Sequence, residues 1–496
     1  MQTIGGPARR VLLLEFNEIT WTIIEPMIAR GELPNFARLR KQGTWGSPEA
    51  LERPPYLDPW ITWVTLHTGV ERAVHGAAVL EQDSATITAK RTWDYASEAG
   101  KSVGVFASIG AYPPAPVRGF MVPGPFAPGS ETFPEELRPI QDLNRRYTQV
   151  HNKIATESTL LGMLREGAAI FRLGLRAETA ARVLQQLTLE RVRPYMRWKR
   201  VALQPLINFD VFSHLYRKHQ PDYATWHTNH AAHYMHHYWR AMDDSQFPTR
   251  ATAEEKEHYG GAVEHGYKIC DELLGRFLDL IDDRTVLVLT SSMGQQPYVN
   301  ENYREGKIPI RFKNIRTVLD IVGAKGVTDI VPTMVPQYNV RIPDAQERAR
   351  VRDRLLEARC QGGVHEATFS VEEVGSDLTV TPFGLARLSD DIRYSFPNSP
   401  GDRAEGFAFD ELFVSDAPTP KEGMHHPRGV VMFAGAGAPA GLELRDVSPL
   451  DIAPTILHLL GVTPPAVMKG RVLTEVTGQG PSVSATPSDQ RVAAQV

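Results

Sequence analysis

Residues 11–16 read VLLLEF, a mostly apolar run with polar residues on either side. A run of this kind suits a parallel strand covered on both faces, since a half-exposed strand alternates apolar and polar residues. SVGVF at 102–106, RTVLVLT at 284–290 and VVMFA at 430–434 have the same character. Helical patterns separate them. Residues 21–30 have helical spacing. Asp58-Pro59 begins a helix, with an Asp N-cap and a Pro at the first helical position, and Gly69 ends it. An amphipathic helix over 266–280 precedes the third strand, and another helix covers 448–460. Strands alternating with helices predict an α/β fold, with a mainly parallel central sheet and helices on both faces.

Several stretches break this rhythm. Residues 113–148 are proline-rich and read as a long loop within the first part of the core, 1–150. Residues 151–206 are rich in Arg and Leu and read as a helical insertion. Residues 327–402 carry a helix at 344–359 and short strands at 367–371 and 377–382, which reads as a small α+β insertion. The rest of the core would then be 207–326 and 403–478, with both insertions forming a cap. The Ser-, Thr-, Pro- and Gln-rich tail at 479–496 is expected to be disordered.

The net charge of -4 leaves no basic surplus to neutralise phosphates, so nucleic acid is not an expected partner. No apolar run reaches the roughly 18 residues of a membrane span, and the first strand is too short for a signal core. A soluble, cytoplasmic protein with no membrane partner is the expectation. The two cysteines, Cys270 and Cys360, make neither a disulfide framework nor a zinc knuckle. Nothing in the sequence sets the oligomeric state.

Four groups of residues could carry chemistry. Asp210 and His214, four apart, lie on one helical face and can grip one divalent cation; an ordinary polar helix face is the alternative. His425 sits in the glycine-flanked loop 423–429 just before a strand, where open α/β sheets place their sites. His227, His230, His233, His236 and His237 fall within eleven residues of a chain with sixteen histidines, and read as a cleft, a metal site or a polar face. Glu15, Asn17 and Glu18 end the first strand at the usual site edge of a parallel sheet.

These pieces gain meaning in order. The run SPLDIAPTILHLLG at 448–461, followed by Pro464, Pro465, Met468, Gly470, Arg471 and Leu473, resembles the closing signature of one family branch. That branch is the type I phosphodiesterase/nucleotide pyrophosphatase group of the alkaline phosphatase superfamily. WVTLHTG at 63–69 with His75-Gly76 resembles its helix after the nucleophile, and LPNFARL at 33–39 with Gly43 and Thr44 its early helix-loop. His425, Pro427 and Gly429 resemble its last metal-binding loop, and Asp210 with His214 its Asp-x-x-x-His pair. Residues 271–279 resemble the helix before its Asp-His ligand strand. The matches cover about 10–80, 205–295 and 420–475.

The resemblance implies divalent metal at the C-terminal edge of the sheet, usually zinc and sometimes manganese. It implies one cation held by Asp210, His214 and His425. The other site departs. Its strand-one Asp falls on Asn17, with Glu18 where a glycine is usual. Its Ser-Asp-His-Gly falls on Ser291, Ser292, Met293 and Gly294, whose hydroxyl and thioether are poor ligands for zinc or manganese. The nucleophile position counts back to Pro59; Asp58 takes the threonine's place at the helix cap, and Thr62 lies one turn in. Asp58 would then be a nucleophile or a ligand, with Glu15, Asn17 or Glu18 completing a rearranged second site. Alternatively one metal and an activated water do the work. The expected function is a metal-dependent hydrolase or transferase acting on a small phosphate, phosphonate or sulfate ester. The alternative is a catalytically inactive relative that binds a metal or ligand. Arg and Lys do not cluster near the motifs, so a polyanionic substrate is not expected.

Overall fold

The computed structural model describes residues 9–80, 82, 86–149, 160–333, 335–400, 403–415 and 420–477. The tail 479–496 lies outside them. The first apolar run forms β1 (Arg10–Phe16), and every residue from Val11 to Phe16 is buried. Leu12, Leu14 and Phe16 enter one apolar cluster, and Val11 and Leu13 the opposite one. That is the period of a strand with helices on both faces.

β1 is central in an eight-stranded sheet. The other strands are β2 (Thr44–Gly46), β3 (Val103–Phe106), β4 (Gly119–Val122), β5 (Tyr223–Thr228) and β6 (Thr285–Thr290). Two late strands, Val431–Gly435 and Leu442–Leu444, complete it. β1 runs parallel to both neighbours, with Glu15 opposite His227 of β5 and Thr290 of β6. Val431–Gly435 is antiparallel to β6. The α/β architecture expected from the sequence is therefore found.

On one face lies α1 (Pro59–Thr68), which starts where Asp58 Oδ1 accepts the Trp60 N–H at 3.0 Å and stops at Gly69, φ 64°. An N-cap of this kind contributes about 1 kcal/mol. On the other face are α2 (Leu203–His219), α3 (His230–Met242) and α4 (Ala262–Leu278). Phe209, Tyr234 and Phe277 bury there with the even side of β1.

Residues 113–148, expected to be a loop, contain β4 and the helix Arg138–Gln149. β4 has only four residues and opens at Gly119, where an added Cβ would lie 2.0 Å from the Val103 carbonyl oxygen. Its close edge pairing with β3 leaves no periodic pattern to read. A separate apolar cluster runs from Ile310 to Phe413, around an antiparallel sheet with Phe369–Val374, Asp377–Pro382, Tyr338–Arg341 and Asp329–Pro332 in that order. Among the described residues, no helix is long and apolar enough to cross a membrane.

The site edge is built after β6. β7 (Gly294–Pro297) pairs antiparallel with β8 (Gly423–His426), setting His425 opposite Gln295. The chain then returns beside β6 as Val431–Gly435. A residue more than a hundred positions downstream is so delivered to the C-terminal ends of β1 and β6.

Candidate metal centre

Glu18, His236 and His425 offer ligand atoms that all lie within 4.8 Å of one another, a group that could hold a cation. His236 Nε2 lies 3.2 Å and His425 Nε2 3.7 Å from the same carboxylate oxygen, Glu18 Oε2. Their Nδ1 atoms meet backbone carbonyls. His236 Nδ1 donates to Gly423 O at 3.0 Å and His425 Nδ1 to Leu57 O at 2.7 Å. Because a carbonyl can only accept, each ring carries a proton on Nδ1, and its Nε2 faces Glu18. An orienting bond of this type is what ligating histidines carry.

Glu18 leaves β1 with φ 60°, in the left-handed region. That conformation costs a side-chain-bearing residue about 1 kcal/mol, which explains a preference for glycine there. The gain is direction: the carboxylate turns into the edge of the sheet. Burial works to raise the Glu18 carboxyl, but the His425 and His236 rings and the His236 and Gln295 hydrogen bonds outweigh it and hold it at about 2. Burial, then the Lys421 charge, lower the basicity of His236. A carboxylate oxygen between two imidazole nitrogens is the donor set that zinc favours.

Glu422 locks the two histidine-bearing elements together. α3 is kinked at Tyr238, φ -135°. The His236 carbonyl accepts the Glu422 backbone N–H at 2.6 Å, and the Glu422 carboxylate accepts the Arg240 backbone N–H at 2.9 Å. Glu422 thus inserts into the rung that His236 and Arg240 would form in an unbroken helix, one of the physical causes of a kink. Arg240 Nε also donates to Glu422 at 3.2 Å, with both side chains buried.

Asn17, expected as catalytic group or ligand, supports Glu18 instead. Its Oδ1 accepts from Trp63 Nε1 at 2.7 Å, and its Nδ2 donates to Glu18 Oε1 at 2.8 Å and Asn229 Oδ1 at 2.7 Å. An indole N–H is only a donor, so Oδ1 is the amide atom that faces Trp63 and Nδ2 the one that faces Glu18. Asp58 is half-buried beside Leu57, whose carbonyl holds His425. Its Oδ1 caps α1. Thr62 is buried, donates to the Asp58 carbonyl at 3.2 Å and shares a 2.8 Å hydrogen bond with Ser292. Met293 packs into a small apolar cluster with Ala50 and Leu57, so its place holds packing rather than ligands.

Asp210 and His214 are not brought to His425. Asp210 lies within α2, fully buried, where Oδ2 accepts the Arg176 N–H at 3.0 Å and Oδ1 faces Arg176 and Arg276 at 3.6 and 4.0 Å. α2 leads into the start of β5, while Glu18 and His425 stand at the opposite, C-terminal edge. His214 is exposed and packs on Gly174. The spacing of four was satisfied by a helix on the wrong side of the strand. Asn229 and His233, also four apart, follow β5 directly at the site edge. His236 was visible only as one of a crowd; the others diverge. His230 bonds Thr228 and the Gly266 carbonyl and is pushed down to about 3 by burial. His227 faces the buried Glu15 at 3.3 Å from the other side of the sheet.

The sequence signature of the type I phosphodiesterase / nucleotide pyrophosphatase family matches residues 11–382. No curated protein matches the chain by sequence. Among solved structures, murine ectonucleotide pyrophosphatase / phosphodiesterase 5 is similar at 12% identity and TM-score 0.43, over 92% of this chain and 96% of that one. Phosphonoacetate hydrolase from Sinorhizobium meliloti 1021, in complex with phosphonoformate, is similar at 14% identity and TM-score 0.41, over 93% and 100%. With three quarters of its length matched, the chain belongs to the type I phosphodiesterase / nucleotide pyrophosphatase family, within the alkaline phosphatase superfamily.

Proposed function

We propose that the protein is a metal-dependent phosphoester hydrolase that works with one divalent cation, zinc or alternatively manganese, held by Glu18, His236 and His425. The observation that carries this is the pair of Nε2 atoms turned on one Glu18 oxygen, with both Nδ1 protons fixed by carbonyls. When bound, the cation supplies Lewis acidity toward an ester oxygen. Three protein ligands leave a position open, as catalytic zinc sites do.

Asp58 is the group that takes the proton from the attacking water. Its Oδ1 is anchored on the Trp60 N–H, which leaves Oδ2 as the reacting atom, and the carbonyl of the preceding Leu57 holds His425. Thr62 is a poor nucleophile here because its hydroxyl is buried and committed to Asp58 and Ser292. Asn17 fixes the orientation of Glu18 through its 2.8 Å bond. Hydrolysis of an aryl phosphodiester should require zinc or manganese and fall at least a hundredfold in Asp58→Asn. If Asp58→Asn turns over at the wild-type rate, the role of Asp58 is wrong; if chelated enzyme does, the role of the metal is wrong.

The second reading is a family member that binds a cation without catalysis. It draws on Met293, packed with Ala50 and Leu57 where the resemblance expects a ligand. Absence of turnover on phosphomono-, phosphodi-, phosphonate and sulfate esters in zinc-loaded protein would favour it.

A further inference from the structure

Lys307 and Lys421 are more than a hundred residues apart, yet they face each other across an antiparallel bridge. Lys307 N donates to Lys421 O at 3.0 Å, and Lys421 N donates to Lys307 O at 2.7 Å. Residues that exchange both bonds project their side chains to the same side, and like charges directly opposite destabilise such a pair. Both side chains are half-buried, and neither ammonium has a hydrogen bond or ion pair among the described residues. The Lys307 stem is confined, since a Cβ on Gly384 would lie 2.5 Å from its Cε.

The strand places this pair beside the metal ligands. From Lys421 the chain runs extended into β8, so Lys421, Gly423 and His425 share one face by the period of two. Gln295, opposite His425, donates to Glu18 from the same pairing. The Lys421 charge bears on Glu18, Asp58 and His236. Burial first, and the neighbouring ammonium second, lower the basicity of Lys307. Two adjoining ammonium groups, with Glu18 and Asp58 acting on Lys421 but neither in ion-pair contact with it, form a seat for an anion next to a candidate metal centre.

We propose that Lys421, with Lys307 behind it, is the positioning residue that holds the anionic oxygens of the ester on which the Glu18–His236–His425 centre acts. This rests on the proposed reading of that centre. It also revises the expectation that basic residues stay away from the motifs: the lysines converge only through the bridge.

The test is calorimetric titration of inorganic phosphate into the full chain, metal-free and zinc-loaded. Wild type, Lys421→Met, Lys307→Met and Lys421→Arg are compared, with zinc content and urea midpoints measured in parallel. Lys421→Met should weaken phosphate binding at least tenfold in both forms, Lys421→Arg less, with zinc content unchanged. Either Met variant should be no less stable than wild type in phosphate-free buffer, because a repulsion is removed. KM for an aryl phosphodiester should rise in Lys421→Met. Wild-type phosphate affinity in both Met variants, or no phosphate binding by the wild type, overturns the proposal. A chain that binds phosphate through Lys421 yet takes up no zinc would remove the metal reading alone.

Discussion

The backbone N–H of Glu422 donates to the His236 carbonyl at 2.6 Å, so the strand that carries His425 is pinned to the helix that carries His236. The Glu422 carboxylate completes the clamp by accepting the Arg240 backbone N–H, so Glu422→Ala, which keeps the backbone bond and removes this one, should act twice. It strips Arg240, buried beside it, of one carboxylate and leaves Glu255 at 2.7 Å as its remaining acidic partner. Breaking a buried pair costs about 3 kcal/mol, to be read as a lower urea midpoint. Zinc affinity should fall by about tenfold, since supporting bonds of this sort tune metal affinity by that order. Unchanged affinity would mean that β8 holds His425 without the clamp.

Glu18→Gly separates strain from function. Glycine takes φ 60° freely, so the variant should be as stable as the wild type or about 1 kcal/mol more stable. It should nevertheless lose cation binding, because two imidazoles remain with no anion between them. Thermal unfolding and zinc titration on one preparation check both halves. A large loss of stability would show that the carboxylate holds the fold.

Glu15 governs acid stability. It is fully buried between His67, at 3.5 Å, and His227, at 3.3 Å, and accepts from Ser108 at 2.7 Å. Burial works to raise its carboxyl, but the His67 charge and the His227 and His67 contacts outweigh it and hold it at about 2, below the ordinary 4.5. The unfolded chain then binds the proton more readily than the folded one. The Glu15 contribution is complete above pH 4.5 and is lost as pH falls toward 2. Its size is up to about 3 kcal/mol. Urea midpoints across that window should fall steeply for wild type and less steeply for Glu15→Gln; parallel curves would contradict this.

The legible parts of this fold were those where one segment carries its own signal. β1 and β6 are covered on both faces and so read as unbroken apolar runs. α1 announces itself through Asp58-Pro59 and Gly69. β2 and β4 have three and four residues, and only pairing with distant strands makes them strands. At the site, Glu18 and His425 stand next to strand ends and could be named as candidates from position alone. His236 could not be separated from His227, His230, His233 and His237, because facing Glu18 depends on the α3 kink and on Glu422. A spacing rule that required a carboxylate chose Asp210 and His214; asking for the end of a strand would have chosen Asn229 and His233. Lys421 and Lys307 meet through a bridge that no local pattern records.

Asp210 belongs to the scaffold. Asp210→Ala should cost about 3 kcal/mol by leaving Arg276 short of its buried partner, while His214→Ala at an exposed position should change stability by less than about 0.5 kcal/mol. Chemical denaturation of the two variants checks this, and an equal cost for both would contradict it.

The most direct measurement is zinc titration of the chelated full chain with four variants, His236→Ala, His425→Ala, Asp210→Asn and His214→Ala, each shown to be folded at the titration temperature. The account predicts one zinc per chain in the wild type, at least a hundredfold weaker binding in the first two variants, and wild-type binding in the last two. Zinc bound normally by His236→Ala, or lost in Asp210→Asn and His214→Ala while it folds, would contradict a centre made by Glu18, His236 and His425.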